Sequence, residues 1–71
     1  MNIRVIEVIP RFFKASKQVI LKDGDIDLTV IPIKDDIIII EDVRYKVLQR
    51  DIIMRKNLEN QRITLFVEKL Y

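Results

Sequence analysis

Four consecutive isoleucines, Ile37 to Ile40, lie between the acidic pair Asp35-Asp36 and the acidic step Glu41-Asp42. β-Branched side chains are stiff at χ1 and suit a pleated surface, so this run reads as a strand. Successive side chains of a strand point to opposite faces, which makes both faces of this one apolar and in need of cover. In a chain of 71 residues, one face can turn into the domain's own core. The other requires a second layer, a partner chain or a ligand.

The length allows one domain, residues 1–71, and a domain of this size buries only roughly 60% of the surface its unfolded chain exposes. There is no cysteine and no histidine. Disulfide staples, thiolate or imidazole metal ligands and histidine-based acid-base chemistry are therefore excluded, and no cofactor is expected. Stability has to come from packing or from oligomerisation. The longest apolar run is Ile37 to Ile40, far short of the ~18 residues of a membrane span. The start, Met1-Asn2-Ile3-Arg4, carries charge where a secretory signal has its apolar region. A cytoplasmic location and no membrane partner are the expectations.

Charge is segregated along the chain beneath a net value of +2. Residues 1–22 set Arg4, Arg11, Lys14, Lys17 and Lys22 against Glu7. Residues 23–42 set Asp23, Asp25, Asp27, Asp35, Asp36, Glu41 and Asp42 against Lys34, and residues 43–71 are basic again. An acidic middle between basic flanks suits docking of identical subunits or capture of an anion, and equally a solvated surface.

Strand formers dominate, and turn signals divide them. Asp23-Gly24 suits a type I′ turn, whose two central residues need positive φ. That hairpin pairs Lys22 with Asp25 and Leu21 with Ile26, and gathers Val19, Leu21, Ile26, Leu28 and Val30 on one face. Pro32 removes a ladder donor and should end a strand or sit at an edge. The isoleucine strand returns through Asp42-Val43, setting Ile40 opposite Tyr45, or through a four-residue loop from Glu41 to Arg44 that keeps the same pair. Strand 44–50 is followed by a last hairpin, 52–56 with 61–67, closed by Asn57-Leu58-Glu59-Asn60, with Ile52 facing Leu65 and Met54 facing Ile63. The first strand, Asn2 to Ile9, places Ile3 and Val5 on one face and Ile6 and Val8 on the other, as a bulge or two-sided burial would require. Pro10 to Ser16 reads as a loop or a single helical turn. Five or six short strands in an antiparallel meander close most naturally into a small barrel, which removes exposed edges.

Asp23-Gly24, Pro32, Asp36, Ile38 to Ile40, Tyr45-Lys46-Val47 and Ile63 to Val67 follow in an order that resembles small SH3-like β-barrel proteins of phages and prophages, over about two-thirds of the chain. Such proteins often carry glycine before the acidic residue that enters the isoleucine strand, where this chain has Asp35. The resemblance implies the barrel fold and a mobile-element origin in a host cytoplasm, with no fixed activity attached to the fold. Anti-defence roles, including the sequestration of nucleotide signals between subunits, follow by analogy with phage proteins of this size.

Catalysis finds no support in the residues. Ser16, Thr29 and Thr64 are the only hydroxyls besides tyrosine, and no histidine activates them, so a triad cannot be assembled. The carboxylate pairs Asp25-Asp27 and Asp35-Asp36 read as turn residues. Asp23-Gly24-Asp25-Ile26-Asp27 clusters oxygens as calcium prefers, but Leu28 stands where a calcium loop needs glycine. A binding protein remains. Arg44, Lys46 and Arg50 are the candidate fork for an anionic small molecule, with Phe12 or Phe13 closing the pocket. These cations with Arg55, Lys56 and Arg62 on phosphates, and Tyr45, Phe12 or Phe13 as stacking platforms, make a nucleic-acid interface the alternative, and a virion or connector component a third reading. Ile37, Ile39, Leu48, Ile53 and Phe66 should form an outer apolar set that marks a homo-oligomer interface, while blocking a host protein is a separate expectation of the binding reading. A bulge near Gln49 to Asp51 that turns the later residues inward is the competing account.

Overall fold

The computed structural model describes residues 2–11, 14–26, 30–56 and 61–71, and no helix occurs among them. Five strands, β1 (Asn2–Arg11), β2 (Lys14–Asp25), β3 (Ile37–Ile40), β4 (Val43–Ile53) and β5 (Arg62–Lys69), form one sheet in the order β2-β1-β5-β4-β3. β1 and β5 run parallel, and the other three pairings are antiparallel. The expected all-antiparallel meander is thus corrected at its centre, where the first and last strands meet side by side. The sheet is not closed. No Cα of β2 lies within 8 Å of one of β3, so the two edges are unpaired with each other and the expected barrel closure is not made.

The core sits on one face, here the inner face. Ile3 and Val5 of β1, Tyr45 and Val47 of β4, and Ile63, Leu65 and Val67 of β5 are buried, and Leu21, Ile26, Ile31, Ile38, Ile40 and Val43 pack against them. β5 has a hydrogen-bonded strand on each side, and its outward Thr64 is buried too, at 8% exposure. A central strand in parallel contact is the element that must be apolar or satisfied on both faces. The isoleucine strand is an edge, and its outward Ile37 and Ile39 are 45% and 67% exposed.

Asp23-Gly24 does not turn the chain. β2 runs through it, pairing Asp23 with Arg4 and Gly24 with Ile3. Gly24 uses its freedom at φ 133° inside the strand, at an edge with nothing near the position a Cβ would take. The hairpin predicted there fails because β1, a long apolar strand, competes for the same edge of residues 17–25 and offers eight paired positions along it. β1 and β2 are instead joined near Phe12-Phe13, which lie outside the described residues. The loop or helical turn expected over Pro10 to Ser16 is therefore mostly strand: Pro10 belongs to β1, at a register shift between Ile9 and Arg11 where its missing N–H is tolerated.

The β3–β4 turn also differs from expectation by one pair. Glu41 and Asp42 both have positive φ, 50° and 65°, so these two residues form the turn and Ile40 pairs with Val43, Ile39 with Arg44, Ile38 with Tyr45 and Ile37 with Lys46. Val43 is β-branched and cannot take the left-handed conformation cheaply, so the turn moves one residue back to Glu41-Asp42 and the pairing slips by two. A slip of two preserves the faces. Ile40 and Tyr45 remain on the same side as expected, but Tyr45 lies opposite Ile38.

The separate strands expected at 44–50 and 52–56 are one strand, β4, with a register shift between Val47 and Gln49. Leu48 is the extra residue of that bulge. Beyond it Arg50 pairs with Leu65, Ile52 with Ile63 and Ile53 with Arg62, so Ile52 keeps its inner face but not its expected partner Leu65. Met54 lies past the strand end and is 78% exposed rather than opposite Ile63. The turn predicted at 57–60 lies outside the described residues. A second bulge leaves Leu21 extra in β2, between the pairs Val5–Lys22 and Ile6–Ile20. Bulges bend a strand and raise its twist. Two of them flanking the centre of β5 curl both wings of the sheet around the inner face.

Candidate functional site

The segment entering β3 is fixed by a small hydrogen-bonded turn. Asp36 N–H donates to the Ile33 carbonyl (3.1 Å), and Ile33 N–H donates to the Asp36 carboxylate (2.9 Å). Asp35 takes φ 75° between them, the conformation in which a glycine costs least. Asp35 N–H and the Asp36 carbonyl then bond Val47 at 2.8 Å each, extending the β3–β4 ladder by one step. These contacts fix Pro32 and Ile33 beside β4.

Two concavities result. The first is a cleft of about 400 Å³ on the inner face, floored by Ile3, Val5 and Leu65 and walled by Ile26, Pro32 and Ile38 to Ile40. Lys22 of β2 and Glu41 of the β3–β4 turn complete its lining. The second is a shallow depression formed by Ile33, Lys34, Leu48, Gln49 and Arg50. It brings two cations together, and neither makes an ion pair among the described residues. Among those residues no group of three or more acidic side chains is placed to hold a metal ion, and no helix is long and apolar enough to cross a membrane.

The expected anion fork is split. Arg44 and Lys46 point to the outer face, opposite Ile39 and Ile37, but the Leu48 bulge reverses the alternation and places Arg50 opposite Leu65 on the inner side. Lys46 approaches Asp35 at 3.6 Å. Arg50 is joined instead by Lys34, which sequence reasoning passed over; it stands alone among acids in the sequence, and only the turn at 33–36 brings it to β4. Phe12 and Phe13, the proposed covers of that pocket, lie outside the described residues. Tyr45 is buried at 7% exposure, so it offers no stacking surface to a base.

Of the outer apolar set, Ile37, Ile39, Ile53 and Phe66 face outward, Leu48 is taken up by the bulge, and the set is not continuous. Ile37 and Ile39 stand at one end beside Lys46 and Arg44, Phe66 lies mid-sheet, and Ile53 stands at the other end beside Arg62. Leu48, in the bulge, is half-buried and lines the depression of Lys34 and Arg50. Between Phe66 and Ile53 runs a polar row, Asp23–Arg4–Thr64–Asp51. Arg4 bonds Asp23 at 3.2 Å and Gln49 bonds Asp51 at 2.7 Å. The sequence missed the residues that extend Phe66 sideways: Ile6 and Ile20 lie in its row across β1 and β2, and Ile20 is 56% exposed.

No family model matches the chain, no curated protein matches it in sequence, and no solved structure matches it in fold. The class that can be stated is an all-β protein with a single open five-stranded sheet.

Proposed function

We propose that this protein is a non-enzymatic binding protein that works as a homo-oligomer, a small SH3-like domain of phage or prophage origin acting in a host cytoplasm to hold an anionic small molecule or to block a host defence protein. The observation that carries the association is the outer face. All seven buried apolar residues belong to the inner face, while Ile20, Ile37, Ile39 and Ile53 are each 39% to 67% exposed on the other side. The row Ile20–Ile6–Phe66 is the continuous part of that face; a continuous exposed apolar patch marks an interaction site on a small protein, and a two-fold contact between copies is the commonest way to cover one. For the anion, Lys34 and Arg50 in one depression supply a point charge and a planar fork without a neutralising acid. Nothing in the residues present supplies a nucleophile with its base, which is why binding rather than turnover is the reading.

Native mass spectrometry and sedimentation of the purified protein test it. A dimer or higher oligomer is expected, disrupted by Ile20→Lys or Ile37→Lys, with any retained anion lost on Arg50→Ala. A wild-type protein that stays monomeric at concentrations of hundreds of micromolar would sink the association, and retention of the same mass by Arg50→Ala would move the anion elsewhere.

A further inference from the structure

Phe66 lies on the middle strand β5, in an outer row with Ile20 of β2, Ile6 of β1 and Gln49 of β4. None of the four is charged. The next outward positions to one side of that row are Thr64 in β5 and Asp51 in β4, and to the other side Glu68 in β5 and Lys46 in β4. The Leu48 bulge takes up the odd residue, so Lys46 and Asp51 stand the same number of ladder pairs from Gln49 and carry opposite charge. A face built this way is complementary to itself. A half-turn about the row lays each strand over its own equivalent, Ile6 on Ile6 and Phe66 on Phe66, and brings the Asp51 of each copy over the Lys46 of the other. Both wings of the sheet curl towards the inner face, so β5 is the crest of the outer face and meets a second copy first, with β1 and β4 beside it.

We propose that two copies of this chain pack outer face to outer face about a two-fold axis running along the row Ile20–Ile6–Phe66–Gln49, with the Lys46 of each copy paired to the Asp51 of the other. This rests on the homo-oligomer reading and supplies its contact. Such an interface is isologous, one patch meeting itself. Face-to-face sheets cross at about 30°, and outward neighbours along a strand are about 7 Å apart, so the crossing displaces Asp51 sideways by about 3.5 Å, less than the distance of about 4.8 Å between strands. Gln49 bonds Asp51 at 2.7 Å and orients its carboxylate without removing its charge. Lys46 meets Asp35 at 3.6 Å, with side chains 40% and 67% exposed, a contact weak enough to be exchanged. The competing two-fold runs along β5. It sets Arg4 against Asp51, but it also sets Ile6 against Gln49 and the two Glu68 carboxylates against each other, and juxtaposed like charges are costly at an interface.

Within one chain Lys46 and Asp51 are about 14 Å apart along β4, too far to pair, so coupling between them acts between copies. Lys46→Glu and Asp51→Lys are each expected to weaken the dimer about tenfold or more, since each turns two attractive contacts into two repulsive ones. Mixed in equal amounts, the two variants should form a mixed dimer as tight as the wild type's, because both contacts are then again between opposite charges; native mass spectrometry with one variant isotope-labelled reads it. Circular dichroism checks the fold of each single variant, and the double variant, which restores both contacts in the reversed sense, should dimerise as wild type does. A dimer indifferent to both single variants, or weakened by them without recovery in the mixture and in the double variant, would overturn this arrangement and leave the association standing. A monomeric wild type would overturn both.

Discussion

Replacing Glu41-Asp42 by Asn-Gly should stabilise the protein. A non-glycine residue in the left-handed region costs about 1–2 kcal/mol, and less for Asn and Asp; Glu41 at φ 50° and Asp42 at φ 65° both carry that cost. Asn at 41 and Gly at 42 relieve about 2 kcal/mol together, and the extra freedom of glycine in the unfolded chain returns about 0.5–1 kcal/mol of it. The net gain is about 1–1.5 kcal/mol, which in urea, with a slope of about 1 kcal/mol/M for a small domain, raises the midpoint by about 1 M. The thermal midpoint should rise by roughly 4–8 °C per kcal/mol. Protein concentration must be held fixed, because association would contribute to the apparent stability. The paired control is Asp42→Asn with Val43→Gly, which would stabilise a turn one residue later, as the sequence suggests. Here it should destabilise, because Val43 is half-buried against the core and pairs with Ile40. A gain from the control and none from Asn-Gly would refute the register of β3 on β4 and every partner assignment drawn from it.

Asp35→Gly should raise stability by up to about 1 kcal/mol, since it relieves φ 75° while removing only the Asp35–Lys46 contact at 3.6 Å, whose side chains are 67% and 40% exposed and which is therefore worth little; urea denaturation reads it. Leu65→Ala should cost about 2–5 kcal/mol, because Leu65 is 1% exposed at the centre of the sheet. Against a total of about 4–11 kcal/mol for a domain of this length, circular dichroism should show a melting transition lowered far below wild type. Gly24→Ala should cost about 1 kcal/mol through φ alone, as no atom lies within 4 Å of the new methyl; a neutral outcome in urea denaturation would mean that residue 24 relaxes freely to negative φ.

Strand content was legible in the sequence because it rests on local chemistry, and so were the faces. Period-two alternation put Ile38, Ile40, Tyr45, Val47, Ile63, Leu65 and Val67 on the inner side and gave Ile3 and Val5 a common face, which the structure shows to be that same side. Pairing was not legible, because it is decided by competition between segments distant in sequence. Asp23-Gly24 has the dipeptide of a hairpin, yet residues 17–25 lie along β1 because that alignment also sets Arg4 against Asp23 at 3.2 Å and Ile6 against Ile20. The parallel contact of β1 with β5 leaves no turn signal in the sequence. Its trace is the apolar density of residues 63–67, which marks a strand covered on both sides.

The anion fork shows how one residue separates a correct local pattern from a wrong site. Arg44, Lys46 and Arg50 share a side of an unbroken strand, and Leu48 breaks it: the bulge costs one step of alternation and sends Arg50 to the opposite face. The same bulge gives the Lys34–Arg50 depression its Leu48 wall and contributes to the bend of β4. Curvature and site are therefore coupled. Deleting Leu48 would leave a regular ladder, Val47–Val67, Gln49–Phe66 and Arg50–Leu65, with Arg50 still on the inner side, and would flatten the wing that carries β3. A β4 straightened in this way would lose the Leu48 wall of the depression that holds Lys34 and Arg50, so the anion reading rests on the one residue of β4 that has no partner across the ladder.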